Sequence, residues 1–96
     1  MGELKIVFKL DRCGEFHVQI VRGSKVLADE CGSKPHCYAW ANGARARIAH
    51  SEGALTPRSP YSRKWGSYLL MPMGARAVHN RWCHGWDEAA RIIREE

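Results

Sequence analysis

The feature that most constrains the fold is an alternation of apolar and polar side chains in the first third of the chain. Residues 4–10 read LKIVFKL and residues 16–21 read FHVQIV, and this period of two is typical of strands with one buried face. Residues 22–24 read RGS, a tight-turn pattern, because glycine readily adopts the positive φ that such hairpins need. Residues 25–30 read KVLADE and form a third candidate strand. The pattern predicts an antiparallel meander of three strands.

A helix is predicted after the meander. Ser33 is of the residue type that caps helix N-termini, and Pro35 falls in the first turn, where a missing N–H costs no hydrogen bond. The apolar stripe of this helix, at i, i+4, i+7 and i+11, is formed by Cys37, Ala41, Ala44 and Ile48. Gly43 costs about 1 kcal/mol relative to alanine in a helix. We therefore expect either a helix weakened at Gly43 or another element packed closely against the backbone there.

The second half of the chain is predicted to add a hairpin and a second helix. Residues 68–73 and 75–82 are interpreted as two strands about Gly74, with Pro72 placing the first of them at a sheet edge. The apolar stripe of the second helix is formed by Trp86, Ala89, Ala90 and Ile93. The predicted fold class is α+β with the order βββα-ββα. Residues 1–96 then form a single domain, an antiparallel sheet with two helices packed on one face.

Short motifs recur between the two halves. GEF at 14–16 and GSY at 66–68 begin segments of similar length, and ARI is found at 46–48 and again at 90–92. A diverged internal duplication leaves this kind of pattern, and we retain it as a hypothesis.

Residues 13–48 resemble one repeat of the YegP-type domain, a small bacterial unit that often occurs in tandem. The resemblance is carried by Gly14-Glu15-Phe16, Gly23, Val26-Leu27-Ala28, Ser33-Lys34 and Ala41-Asn42-Gly43-Ala44. It implies a βββα unit over about a third of the chain. It implies no activity, because that family has no established function.

The composition is that of a globular protein without common catalytic signatures. Hydrophobic residues make up 45% of the 96 residues, and no apolar run reaches the length of a membrane span, so no membrane partner is expected. No secretory signal pattern is found, so we expect a cytoplasmic protein with thiol cysteines, in the host cytoplasm if it is encoded by a phage. Nucleophile-elbow, zincin and phosphate-loop motifs are missing from the sequence. We therefore predict no enzyme and expect no cofactor.

Several cysteine and histidine residues are of the types that bind zinc. They are Cys31, His36, Cys37, Cys83 and His84. Structural zinc normally uses ligand pairs separated by two to four residues, whereas Cys31 and Cys37 are separated by five and the Cys-His pairs are adjacent. We therefore predict no metal site and interpret these residues as core thiols and surface imidazoles.

The net charge of +5 is concentrated in the middle of the chain. Residues 31–86 carry eight Lys or Arg residues and one acid, Glu52, a local net charge of +7. Within them, residues 56–67 read TPRSPYSRKWGS and belong to a basic, Pro- and Ser-rich connecting loop predicted over residues 51–67. Interleaved cations and aromatic rings are typical of surfaces that neutralise phosphates and stack on unpaired bases.

The sequence therefore predicts a small binding protein whose basic, aromatic middle engages an anionic partner, either nucleic acid or a nucleoprotein complex. The residues predicted to bind this partner are Arg45, Arg47, Arg58, Tyr61, Arg63, Lys64, Trp65, Arg76 and Arg81. The alternative is an adaptor, or a phage-encoded inhibitor of the anti-CRISPR type, that docks on an acidic patch of a protein effector. In a third interpretation residues 56–67 are only a tether, and their arginines are ordinary solvated surface.

Overall fold

The computed structural model describes residues 3–50 and 53–95 and contains the predicted antiparallel meander. Its strands, in the spatial order β1-β2-β3, are β1 (Leu4–Leu10), β2 (Phe16–Arg22) and β3 (Lys25–Gly32). Glycine occupies the positive-φ position of both turns, with φ of 80° at Gly14 and 61° at Gly23. Gly23 therefore acts as the sequence predicted, and Gly14 has the same role in the first turn, because a side chain is disfavoured at these angles.

One face of the sheet is apolar and forms the base of the core. Ile6 pairs with Ile20 and Phe8 with Val18, so the four side chains project from the same face. Val18 and Ile20 are fully buried, and Ile6 and Phe8 pack against them. The period-two pattern of the sequence is thus explained by burial of this face alone.

Helix α1 (Lys34–Ala49) follows the meander as predicted. Ser33 is its N-cap residue, although the Ser33 side chain makes no capping hydrogen bond, and Pro35 lies in the first turn. Of the four residues of the predicted stripe, Cys37, Ala41 and Ala44 are buried, whereas Ile48 is 36% exposed. The stripe therefore faces the core over the first three turns of the helix.

The predicted second hairpin is wrong, because one long helix occupies most of this part of the chain. The elements after α1 are α2 (Pro60–Arg63), a 3₁₀ turn (Tyr68–Leu70) and α3 (Met73–Arg94). Pro72 is the N-cap residue of α3 and not a residue of an edge strand. The order βββα-ββα is replaced by a meander followed by helices, and the internal duplication is not confirmed.

Helical spacing of the buried residues explains why residues 73–94 form one helix. The buried residues of α3 are Trp82, Gly85, Ala89 and Ile92, at intervals of three, four and three. This spacing places all four on one helical face, whereas a strand would divide them between two faces. The sequence prediction began the second helix near Trp86 and so missed its first three turns.

Two glycines set a close crossing of α1 and α3. A Cβ built on Gly43 would overlap the carbonyl group of Trp82, and one built on Gly85 would overlap the carbonyl group of Trp40. Each helix therefore places a glycine against the backbone of the other, in a reciprocal contact. Close packing at Gly43 was one of the two outcomes expected from the sequence, and the structure confirms it.

The core lies between the sheet and this helix pair. Its buried members are Val18, Ile20, Cys37, Trp40, Ala41, Ala44, Ala89 and Ile92. Helix α1 contacts all three strands, and α3 packs along α1 and reaches the β3 edge, where Arg81 and His84 pair with Glu30 at 3.1 and 3.0 Å. The described residues therefore form an α+β structure. No helix among them is long and apolar enough to cross a membrane.

Candidate nucleic-acid interface

Residues 53–72, between α1 and α3, form a basic segment that packs on α3; we call it the docked segment. Ser59 and Met71 are 2% and 3% exposed, and Ser62 is also buried. The Ser59 hydroxyl lies 2.6 Å from His79 Nδ1, and Ser59 Oγ also accepts the Ser62 N–H at 3.1 Å as the N-cap of α2. Residues 51 and 52 of the predicted connecting loop lie outside the described residues. At Ser59 and Ser62 the segment is held by buried hydrogen bonds, which a slack tether would lack.

Two arginine side chains stabilise the segment by hydrogen bonds to its backbone carbonyl oxygens. Arg76 donates from Nε and Nη2 to the carbonyl oxygens of Tyr68 and Leu69, at 3.1 and 2.8 Å, and its guanidinium lies 5.1 Å from the centre of the Tyr68 ring. Arg58 donates from Nη2 to the carbonyl oxygen of Gly66 at 2.6 Å, which joins the two ends of the 58–66 stretch. Part of the positive charge in this region therefore supports the fold of the segment.

A pocket of about 470 Å³ lies between this segment and α3. From the segment it is lined by Thr56, Pro57, Arg58, Ser59, Ser62, Gly66, Ser67 and Tyr68. From α3 it is lined by His79, Trp82, Cys83, Trp86 and Asp87. Its volume falls within the range of small-molecule and cofactor sites, about 300–1,000 Å³. We refer to it below as the α3 pocket.

One face of α3 forms the floor of the α3 pocket. His79, Cys83 and Trp86 lie on successive turns of this face, which spans about 12 Å from His79 to Asp87 at 1.5 Å per residue. Trp82 and Trp86 are stacked, with ring centroids 5.6 Å apart and an interplanar angle of 20°. The floor therefore contains the stacked pair Trp82 and Trp86, of which Trp82 is 6% exposed, with Asp87 at one end.

Cys83 is the cysteine that lines the α3 pocket, and its thiol lies 3.5 Å from His79 Nε2. Burial, and to a smaller extent the negative charge of Asp87, raises the pKa of Cys83. The neutral thiol is therefore favoured, whereas a cysteine nucleophile requires a stabilised thiolate. His79 and Ser59 hold the segment on α3 and are not arranged around an activated sulfur.

Five of the predicted binding residues lie together in the docked segment. They are Arg58, Tyr61, Arg63, Lys64 and Trp65. Arg58 lines the pocket, and Arg63 and Lys64 are exposed at the end of α2, directly after the lining residue Ser62. Trp65 is half-buried, with Lys64 Nζ 5.4 Å from the centre of its ring. We refer to these five residues, of which Arg58 lines the α3 pocket, as the cationic rim.

The remaining predicted residues are divided between this rim and other places. Arg47 lies on α1 with its guanidinium 5.9 Å from the ring centre of Trp86, so it stands beside the pocket floor. Arg45 lies instead over Phe8 at 5.7 Å, and Arg81 is paired with Glu30. The structure therefore adds Arg47 to the pocket region and separates Arg45 and Arg81 from it.

Sequence reasoning missed most of the pocket floor. The missed floor residues are His79, Trp82, Cys83, Trp86 and Asp87, and Ser59 was missed on the segment. The signal was present, because His79, Cys83 and Asp87 follow one another at intervals of four, the spacing of one helical face. The incorrect hairpin obscured it, since it assigned residues 75–82 to a strand.

The cysteines and histidines considered for zinc are not gathered at one place. The Cys37 thiol is directed at the carbonyl oxygens of Phe16 and Gly32, and His84 pairs with Glu30. Among residues 3–50 and 53–95, the one group of three or more candidate ligands is formed by Asp11, Glu15 and His17. Hydrogen bonds that the His17 ring donates chiefly to Asp29, and also to Asp11, raise the pKa of His17. That group is therefore explained by the contacts of the His17 ring with the surrounding carboxylates.

Comparison with known proteins adds no homologue from which a role could be transferred. No protein-family model, no curated protein and no solved structure matches this chain. The function is accordingly inferred from the geometry and charge of the α3 pocket and its rim.

Proposed function

We propose that this protein binds single-stranded nucleic acid, without catalysing a reaction, through the α3 pocket and its cationic rim. The observation that carries the proposal is the position of Arg58, Arg63 and Lys64 beside a pocket with an aromatic floor. Cations that neutralise phosphates next to aromatic surfaces that receive bases are the usual combination in such binding proteins. A nucleoprotein complex that presents an unpaired strand would be recognised in the same way.

The charges at the rim support this proposal because no carboxylate of the described residues neutralises them. Among the described residues, no carboxylate lies within 4.0 Å of the side-chain nitrogens of Arg47, Arg58, Arg63 or Lys64. Arg63 and Lys64 are also exposed. Unpaired, solvated cations can release counterions from a phosphate backbone, which is the main source of sequence-independent affinity for nucleic acids.

The shape of the site favours an unpaired strand over a duplex. The aromatic floor is recessed between α3 and the docked segment, whereas the base faces of a duplex are already stacked. A flexible strand can turn one base into the pocket while its phosphates remain outside, at Arg63 and Lys64. We therefore expect tighter binding of a single strand than of a duplex of the same length.

A pair of charge-matched variants tests the location of the site. Arg63→Ala/Lys64→Ala removes two rim cations, and the control Lys5→Ala/Lys9→Ala removes two exposed lysines from β1, on the face opposite to the core residues Ile6 and Phe8. The rim variant is expected to bind a fluorescent 12-nucleotide single strand more weakly, with a salt slope reduced by about 1.4. Its melting temperature should stay nearly unchanged.

The control variant distinguishes binding at a defined site from non-specific electrostatic attraction between the strand and a positively charged protein. Lys5→Ala/Lys9→Ala should leave both the dissociation constant and the salt slope close to those of the parent protein. Equal weakening by the two variants would instead assign binding to the net charge of the whole molecule, which would contradict the proposed site.

An exposed apolar strip favours a second function, docking on a protein. Leu69, Leu70 and Met73 are 80%, 67% and 83% exposed, and they follow the residues of the cationic rim in the chain. An apolar strip bordered by cations would suit an acidic effector surface with an apolar centre, as in an inhibitor of the anti-CRISPR type or an adaptor. A stable partner recovered from the native host, and lost with Leu69→Ser/Leu70→Ser but retained when strand binding is abolished, would favour this function.

A further inference from the structure

Asp87 stands out because it is a carboxylate in a basic site. It is the one acidic residue among the described residues that line the α3 pocket, at the opposite end of the floor from His79. Within residues 3–50 and 53–95 its carboxylate makes no hydrogen bond and no ion pair, although Arg47 and Arg58 are close to the same pocket. Asp87 is exposed, so a free acceptor is available to a ligand bound at the pocket.

A carboxylate at this position affects the phosphate and the base of a nucleotide differently. It repels phosphate, so phosphate is directed to the cations at the rim and away from the floor. It accepts hydrogen bonds, and a carboxylate can accept two parallel ones. The pocket therefore favours a base that presents N–H groups on the edge directed at Asp87.

Guanine is the base that matches this acceptor best. Its Watson–Crick edge carries two adjacent donors, N1–H and the N2 amino group, whereas adenine and cytosine present one amino group beside an acceptor nitrogen and uracil presents one N–H between two carbonyls. Unpaired bases are commonly recognised through this edge. Only guanine can therefore give both oxygens of Asp87 a donor at the same time.

We infer that the α3 pocket takes a guanine base, with the ring against Trp82 and Trp86, the N1–H and N2 amino groups on Asp87, and the phosphate at Arg58. This inference rests on the proposed function and specifies the base that the same site selects. The aromatic floor and the free carboxylate both belong to α3, so the two contacts are held at a fixed spacing.

The inference is tested with strands that differ by one functional group. The probes are fluorescent 12-nucleotide poly-uridine strands with a single central guanosine, inosine or adenosine. Inosine lacks only the N2 amino group, so it removes one of the two hydrogen bonds to Asp87. We expect binding about tenfold weaker with inosine than with guanosine, equivalent to about 1.4 kcal/mol. Binding with adenosine should be weaker still.

Two variants locate the selection at Asp87. Asp87→Asn keeps the size of the side chain but offers amide donors to the base, and it should abolish the tenfold difference between guanosine and inosine. The control Glu15→Gln removes the same charge from the exposed turn between β1 and β2 and should keep that difference. Unchanged melting temperatures would show that both variants are folded.

The outcomes separate this inference from the proposed function. Strands that bind with equal affinity at all three central bases, or a guanosine preference that survives Asp87→Asn, overturn the guanine inference and leave strand binding intact. Absence of binding both to every strand and to guanosine monophosphate overturns both. A guanosine monophosphate that binds in an Asp87-dependent manner, with no strand bound, would support the guanine contact and assign it to a free nucleotide.

Discussion

The crossing of α1 and α3 predicts that Gly85→Ala is strongly destabilising. A Cβ at Gly85 would overlap the carbonyl oxygen of Trp40 and lie 2.7 Å from its carbonyl carbon, whereas ordinary contacts begin at 3.4 Å, so the helices must separate by at least about 0.7 Å. A gap of that size removes a quarter to a half of the dispersion energy between facing atoms. Overpacking lowers the free energy of unfolding by about 1–3 kcal/mol or more. The upper end of this range applies because the backbone of Trp40, unlike a flexible side chain, cannot rotate out of the contact.

The expected net effect follows from two opposing contributions. Alanine gains about 1 kcal/mol of helix propensity over glycine, so Gly85→Ala should lower the free energy of unfolding by about 2 kcal/mol or more. For a domain of this size that corresponds to a melting temperature lower by about 8 °C or more. Thermal unfolding followed by circular dichroism at 222 nm measures this shift directly.

Gly74→Ala is the matched control for this prediction. Gly74 lies in the first turn of the same helix, and a Cβ built there meets no atom within 4 Å. Gly74→Ala should therefore raise the melting temperature slightly or leave it unchanged. A Gly85→Ala variant as stable as the parent protein would refute the close crossing, and with it the position of the pocket floor.

Two further predictions concern hydrogen bonds of named side chains. The pKa of His17 is raised above its ordinary value, mainly by the hydrogen bond to Asp29. The contribution of His17 to stability is therefore complete below about pH 6.5 and is lost as the pH rises through the higher folded pKa. Urea unfolding from pH 6 to 9 should show this decline in the free energy of unfolding, and a decline that persists in His17→Gln would contradict the prediction. Ser59→Ala removes the N-cap of α2 and the hydrogen-bond partner of His79. It should lower the free energy of unfolding by about 1 kcal/mol and accelerate amide hydrogen exchange in residues 59–66. Exchange rates like those of the parent protein would show that Ser59 does not hold the segment on α3.

The meander and α1 could be predicted because their signals are local. The period of two in β1 and β2 arises from burial of one sheet face, and Gly14 and Gly23 take the positive φ that their turns require. Gly43 also carried usable information, since a glycine inside a helix is unfavourable unless something packs on it. The sequence could not reveal which residue packs on Gly43, because the backbone at Trp82 is brought to Gly43 only by tertiary packing.

The second half was predicted incorrectly because two periodicities compete there. Apolar residues such as Ala75, Ala77 and Trp82 can be assigned to strand or helix over a short window, and Pro72 and Gly74 favoured a turn between strands. Pro72 instead precedes the first turn of α3, a position that also suits proline. Packing of Gly85 against α1 then favours the helix over its whole length.

The candidate site was predicted in part. Charge asymmetry and aromatic interleaving identified Arg58, Arg63 and Lys64, which lie at the rim of the α3 pocket. They could not exclude Arg81, because its partner Glu30 lies on β3, far away in the sequence. Composition locates charges along the chain, but only the fold shows which of them remain unpaired.

The most direct test of the proposed function compares a 12-nucleotide single strand with its duplex by fluorescence anisotropy over a range of salt concentrations. Arg47, Arg58, Arg63 and Lys64 can supply three or four phosphate contacts, so log K for the single strand should fall linearly with log salt concentration with a slope of about −2 to −3. The single strand should also bind more tightly than the duplex at every salt concentration. Equal affinity for strand and duplex, or no binding at low salt, would contradict the proposal that the α3 pocket receives an unpaired base.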